Sequence, residues 1–266
     1  MESRTGLTPI PTVIIGSGNV ASVMAPALES AGVIDVMAVY SPTQEHADAL
    51  AGRLAHASGV SDIQDVPVDA ALYLIAVKDD AISRIAADFT PNKAVWLHTS
   101  GGVSCSELSR LTDNYGVFYP LQTFSKNVAV ELDTVPVFIE GVTPMSLEVA
   151  RRLATSITNK VYEADGDTRC RLHAAAVFAC NFTNHLWAVA DDILRRETGT
   201  DLSVLYPLLE ETMRKAMSMR PALGQTGPAR RRDTGVIAKH MALLSEDEAR
   251  LYNILSQHIM DYYERN

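Results

Sequence analysis

Up to about residue 165, short apolar runs alternate with polar turns and with stretches whose apolar residues recur every three or four positions. The runs are Thr12–Ile15, Asp35–Tyr40, Ala71–Val77, Ala94–His98, Val117–Tyr119, Val135–Ile139 and Lys160–Glu163, with a weak one near Ile63. Between them lie a helix carrying Val20, Met24 and Leu28 at core spacing, and helices over Gln44–His56 and Thr143–Ser156. Strands and helices alternating in this way build a parallel sheet covered on both faces. From Thr168 onward the strand signal fades, and helical periodicity is broken by Gly199, Pro207, Pro221 and the loop Gly224–Gly235. The pattern predicts an α/β, doubly wound parallel sheet followed by an all-α domain. The expected boundaries are a loose tail over 1–11, the sheet domain over 12–165 and the helical domain over 166–266.

The most informative stretch runs from the first strand straight into Gly16-Ser17-Gly18-Asn19-Val20-Ala21. Gly16 permits a tight turn, Gly18 lets backbone approach a pyrophosphate, and Ala21 is small enough for the helix to pack close to the strand. A phosphate would rest on the helix N-terminus, whose free N–H groups and dipole favour anions. A Gly-rich strand-to-helix turn also serves purely structural ends, but the apolar run Val33–Tyr40 after Gly32 supplies the next strand of a βαβ unit.

The end of that second strand is where a ribose is read. An acidic residue there selects NAD, whereas this chain has Ser41 and Thr43, whose hydroxyls accommodate a 2′-phosphate and favour NADP(H). The arginine usual for that phosphate is missing, and Ser-Pro-Thr also reads as a plain helix start. Pro26 inside the first helix should kink it. Further strand ends supply Val77 and Lys78, then Thr99, Ser100 and Gly101, a surface of small side chains suited to a nicotinamide ring. The alternatives are a solvated lysine and an ordinary Gly-Gly loop. Pro120 sends the chain away from its strand and leaves Gln122 and Thr123 as candidate substrate contacts.

In the helical half, Arg169–Arg196 reads as one long buried helix. His173, Val177, Asn181 and Asn184 fall within a sector of about 80°, with His185 just beyond. Burying such groups unpaired costs about 1–3 kcal/mol each, so they need partners in the protein, water or a ligand. His173 is the candidate catalytic acid, because imidazole transfers protons near neutral pH. Asn181 is a candidate substrate contact. Arg231, within Arg230-Arg231-Arg232, is a candidate for binding an anionic substrate group, although such runs are commonly solvated loops.

A net charge of -9 and a pI near 5.2 argue against a nucleic-acid or anionic-membrane surface. Cys105, Cys170 and Cys180 lack metal-ligand spacing, and their odd number points to free thiols, hence a cytoplasmic protein. The apolar stretch Leu172–Ala190 carries four polar groups, which disfavours a membrane span. Apolar faces on Leu202–Met219 and Leu251–Met260 predict a homodimer through the helical domain.

Six segments together resemble a family of NADP-dependent oxidoreductases: Gly16–Ala21, Ala76–Asp79, His98–Gly101, Tyr119-Pro120-Leu121-Gln122-Thr123-Phe124, the His173 helix and Thr226-Gly227-Pro228. The resemblance covers nearly the whole chain. It implies a Rossmann-like domain followed by a helical domain of unknown function. More distantly the layout is similar to pyrroline-5-carboxylate reductase and to 6-phosphogluconate and 3-hydroxyisobutyrate dehydrogenases. In those dehydrogenases a lysine with an asparagine one turn on serves catalysis; here His173 and Val177 stand at about those places. The family tends to have glycine where this chain has Arg232. The resemblance implies hydride transfer between NADP(H) and a small C=N or C=O substrate in a cleft between domains. A dinucleotide-binding sensor without turnover is the other reading.

Overall fold

In the computed structural model, which describes residues 8–126 and 128–265, the chain forms two compact units, one ending at Val177 and the other beginning at Phe178. The expected tail lies mostly outside the described residues. The first strand nevertheless begins two residues earlier than the pattern suggests. The first unit comprises β1 (Ile10–Ile15), α1 (Asn19–Ser30), β2 (Ile34–Tyr40), α2 (Gln44–Ala51), β3 (Ser58–Val60), β4 (Leu72–Ile75), α3 (Asp79–Asp88), β5 (Val95–His98), β6 (Tyr115–Pro120), β7 (Val137–Gly141), α4 (Pro144–Ile157), β8 (Val161–Glu163) and α5 (Gly166–Ala176).

The strands form one sheet in the order β3-β2-β1-β4-β5-β6-β7-β8. All pairings are parallel except β6 with β7. The chain reverses direction across the sheet at β1/β4, the switch point where an open α/β sheet leaves a crevice at its carboxyl edge. Alternate residues of the central strands feed opposite faces. Ile14, Leu72, Leu74 and Leu97 pack with Met24 and Leu28 of α1 and Leu153 of α4. Val13, Ile15, Tyr73, Ile75 and Trp96 pack with Ile82 of α3. Both faces are covered, which is why these strands read as unbroken apolar runs.

Several expectations are corrected. The weak strand at Ile63 is a single 3₁₀ turn, Ile63–Asp65, and the edge strand is β3. The second helix stops at Ala51 rather than His56. Pro26 lies inside the first helix as expected, and that helix runs to Ser30. The expected domain boundary at Gly166 is the start of α5, and the first unit extends to Val177. The physical reason is that α5 is tied to the sheet by Arg169 and His173, as described below.

The second unit is helical: α6 (Thr183–Thr198), α7 (Tyr206–Ser218), the short α8 (Pro221–Gly224), α9 (Thr234–Met241) and α10 (Glu246–Arg265). The single helix expected over Arg169–Arg196 is instead α5, a π-helical segment over Val177–Phe182, and α6. It is not a buried helix: His173, Asn181, Asn184 and His185 are all exposed, so no desolvation penalty demands partners for them. Among the described residues of this unit only Ala229, Ile237 and Ser256 are buried. No described helix is long and apolar enough to cross a membrane.

Candidate active site

The turn after β1 is built for a close approach on one side and an opening on the other. Gly16 has φ +111°, and a Cβ there would stand 2.3 Å from the Ala76 carbonyl oxygen and 2.9 Å from Val77 Cγ1. Only glycine tolerates both the φ and the contact. Gly18 caps α1 without a side chain, and a Cβ on it would find nothing nearer than Ala76 O at 3.9 Å. Asn19 and Val20 open the helix, whose first turn accepts no side-chain cap. Free N–H donors therefore face an open space, and the turn fits a pyrophosphate.

Ser17 donates its hydroxyl proton to Ser41 Oγ at 3.0 Å, joining the Gly-rich turn to the end of β2. Ser41 is buried, while Thr43 is exposed and starts α2 without using its hydroxyl as a cap. Val77 and Lys78 follow β4, with Lys78 exposed as the N-cap of α3.

After β5, Ser100 Oγ accepts from the N–H groups of Gly102 and Val103, each at 3.1 Å, so its side chain shapes the turn. Ser100 N–H donates to His98 Nδ1 at 3.1 Å. Burial, followed by the nearby Arg169 guanidinium, presses His98 down to about 3 against the opposing effect of Ser104 backbone, so the ring is neutral. Thr99 is buried beside this turn. Gly101 lies against an aromatic ring: a Cβ there would stand 2.6 Å from Tyr119 Cζ.

Tyr119, near the carboxyl end of β6, is 8% exposed, and its Oη lies 2.9 Å from His173 Nδ1. Burial and then the charge of Asp79 push the phenol up to about 12, with Arg169 opposing. His173 stands one helical turn after Arg169 on α5, so the two side chains share a face. Arg169 is wholly buried; it donates to Glu140 on β7, to Ala164 O and to Val103 O, the last at 3.0 Å. One guanidinium fork thus docks α5 on β7 and on the loop after β5, which sets His173 against Tyr119. Burial and then Glu140 push the Cys105 thiol up to about 11.

The structure brings Gly16, Gly18, Val77, Gly101 and His173 to the carboxyl edge of one sheet. Gln122 and Thr123 are exposed and satisfy each other, since Gln122 Oε1 accepts from Thr123 N–H at 2.8 Å. Asn181 and Arg231 belong to the second unit. There, Arg230 lies over the Tyr263 ring at 4.4 Å and Arg232 pairs with Glu264 at 2.9 Å, whereas the exposed Arg231 has no such tie among the described residues. Sequence reading missed Tyr119, His98, Arg169 and Glu140 as parts of this site. The available signals were a phenol at a strand end before Pro120, and Arg169 four residues before His173.

Two family models match the chain. Residues 12–96 match "NADP oxidoreductase coenzyme F420-dependent", and residues 135–259 match a domain of unknown function, DUF2520. No curated protein is a match for this chain. A solved structure named as a putative NADP oxidoreductase from Bacteroides fragilis is 37% identical; the match covers 95% of this chain and 98% of that one, with a TM-score of 0.88. A reductive aminase from Aspergillus terreus, solved with NADPH and ethyl levulinate, is 14% identical over 97% of this chain and 95% of its own, with a TM-score of 0.66. A 1-pyrroline-5-carboxylate reductase from Streptococcus pyogenes is 15% identical over 97% and 99%, with a TM-score of 0.58. The last two share the fold. With the Gly-rich turn, the carboxyl-edge site and a relative matched along almost its whole length, the chain belongs to the family of NADP oxidoreductases with a Rossmann-like first domain and a helical second domain, and its cofactor is NADP(H).

Proposed function

We propose that the protein is a reductase acting on a small substrate with a C=N or C=O bond. The observation that carries this reading is the convergence of an open phosphate cradle at Gly18 and a Tyr119–His173 hydrogen bond at the same sheet edge. NADPH, when bound, supplies the hydride. Ser17, Gly18, Asn19 and Val20 would hold the pyrophosphate through backbone N–H groups, while Gly16, whose own N–H donates to Tyr40 O at 2.8 Å, permits the turn that presents them. Ser41 and Thr43 would receive the 2′-phosphate, and Val77, Lys78, Thr99, Ser100 and Gly101 would hold the nicotinamide end. His173 supplies the proton that accompanies reduction, and its exposure lets it regain one from water. Gln122 and Thr123 orient the substrate. The fold's occurrence in a reductive aminase and a pyrroline carboxylate reductase is in keeping with a C=N or C=O substrate class.

The working form is a homodimer assembled through the second unit. With only three buried described residues, that unit leaves Phe178, Phe182, Leu208, Met213, Met217 and Ile254 exposed, more apolar surface than a monomer ordinarily keeps in water. Light scattering at micromolar concentration should give twice the chain mass; a mass near 28.9 kDa would exclude the dimer. The catalytic reading is tested by NADPH consumption with a panel of cyclic imines and 2-keto acids. Substrate-dependent loss of NADPH absorbance is expected, and NADPH binding without turnover of any such compound would remove the reductase assignment.

A further inference from the structure

We propose that Tyr119 is a further catalytic residue, whose phenol delivers the proton to the substrate heteroatom while His173 recharges it through their hydrogen bond. This rests on the reductase reading and deepens it by assigning the last proton-bearing atom.

The two rings meet edge-on, with centroids 6.1 Å apart and planes at 70°, and Oη and Nδ1 are 2.9 Å apart. The members of the pair differ in what an acid relay needs. Tyr119 is buried at the carboxyl edge and His173 is exposed, so protons can enter from water at one end and leave at the other. Gly101 has no side chain, and the phenol ring occupies the space a Cβ would need. That places the phenol against the loop that follows β5. The charges acting on the phenol are those of Asp79 after β4 and of Arg169 on α5, the latter paired with Glu140 on β7. Their net effect with burial, a phenol pushed up to about 12, keeps Tyr119 in its donor form at neutral pH. It also makes a free phenolate costly, so donation has to be coupled to reprotonation. His98, held neutral, and Cys105, pushed up to about 11, do not exchange protons in that range.

The balance closes. Bound NADPH would supply the hydride to the substrate carbon and be oxidised to NADP⁺. The Tyr119 O–H bond breaks as the substrate nitrogen or oxygen gains that proton. The phenolate oxygen takes the Nδ1 proton of the His173 imidazolium, and the neutral imidazole regains a proton from water.

The test compares Tyr119→Phe, His173→Gln and the double variant in the full-length protein. Tyr119→Phe keeps the ring against Gly101 and should lower kcat about 10²- to 10⁴-fold, with NADPH affinity unchanged within about twofold. Groups acting in series are not additive, so the double variant should be no slower than Tyr119→Phe. The two single variants should share one pH–rate profile, different from that of the wild-type protein. Full kcat in Tyr119→Phe, or losses that multiply in the double variant, would overturn the relay while leaving the reductase reading intact. A readout independent of turnover is the ¹⁵N spectrum of histidine-labelled protein with NADP⁺ added. The His173 Nδ1 resonance should move in Tyr119→Phe, and an unmoved resonance also overturns the relay. Failure of the wild-type protein to bind NADPH would sink the reductase reading and the relay with it.

Discussion

A Cβ on Gly16 would stand 2.3 Å from the Ala76 carbonyl oxygen, whereas one on Gly18 would come no nearer than 3.9 Å to that same atom. The two glycines of the turn therefore do different work. Gly16 lets β1 and the end of β4 approach, and Gly18 keeps a space open. Gly18→Val should leave thermal stability nearly unchanged while weakening NADPH binding on the order of 100-fold, about 2.7 kcal/mol. Gly16→Ala should destabilise the fold by more than about 3 kcal/mol, because a positive φ and a backbone clash add. Calorimetric titration together with thermal melts checks both, and unchanged NADPH affinity in Gly18→Val would remove the cradle assignment.

The hydroxyl pair Ser17–Ser41 carries no negative charge at the end of β2. NADPH should bind more tightly than NADH. Ser41→Asp should cost NADPH about tenfold or more in affinity and spare NADH, since a carboxylate repels the 2′-phosphate. Equal affinities of the wild-type protein for the two cofactors would show that β2 does not read the ribose.

Arg169 is the clamp that docks α5. Arg169→Met leaves Glu140 without its cation and the Ala164 and Val103 carbonyls without their donor, and should cost about 3–5 kcal/mol in urea unfolding. Arg169→Lys should rescue little, because an ammonium cannot span the acceptors that the fork reaches. A loss below about 1 kcal/mol for the Met variant would contradict the clamp.

His98 predicts an acid-sensitive stability. Its folded pKa, near 3, lies below the ordinary imidazole value of about 6.5. The folded state thus binds fewer protons than the unfolded chain. The contribution is fully present above about pH 6.5 and is lost as pH falls towards 3, by at most about 1.4 kcal/mol per unit. His98→Asn retains an acceptor for Ser100 N–H and removes the titrating ring. Its melting temperature should fall less steeply than wild type between pH 6 and 4. Parallel curves would mean that His98 does not titrate across folding.

Arg232 has φ +55°, the left-handed region that glycine occupies without strain. Arg232→Gly should raise stability by about 1 kcal/mol from the backbone, partly offset by the exposed Glu264 pair, worth about 0–1 kcal/mol. Chemical denaturation would reveal the sign, and a marked loss would mean that the ion pair outweighs the strain.

The strands β1, β2 and β4 to β8 with the helices α1, α2 and α4, the Gly-rich turn at Gly18 and the change to helices after Gly166 were legible in the chain, because each rests on local periodicity or on glycine stereochemistry. Tyr119 and His173 are 54 positions apart, and neither neighbourhood shows that they meet. Their contact follows from the sheet order, which puts β6 beside β5, and from Arg169 docking α5 onto β7. The polar stripe on the helical half was equally ambiguous. Periodicity shows that His173, Asn181 and Asn184 share a face, but exposure is a property of the packed molecule, and it turned an apparent burial problem into none. Likewise, three consecutive arginines are equivalent in sequence. Only the positions of Tyr263 and Glu264 on α10 tie down Arg230 and Arg232 and leave Arg231 exposed. Short-range chemistry determined the elements and the turn, whereas the long-range contacts that select proton carriers and free charges arose only when those elements packed.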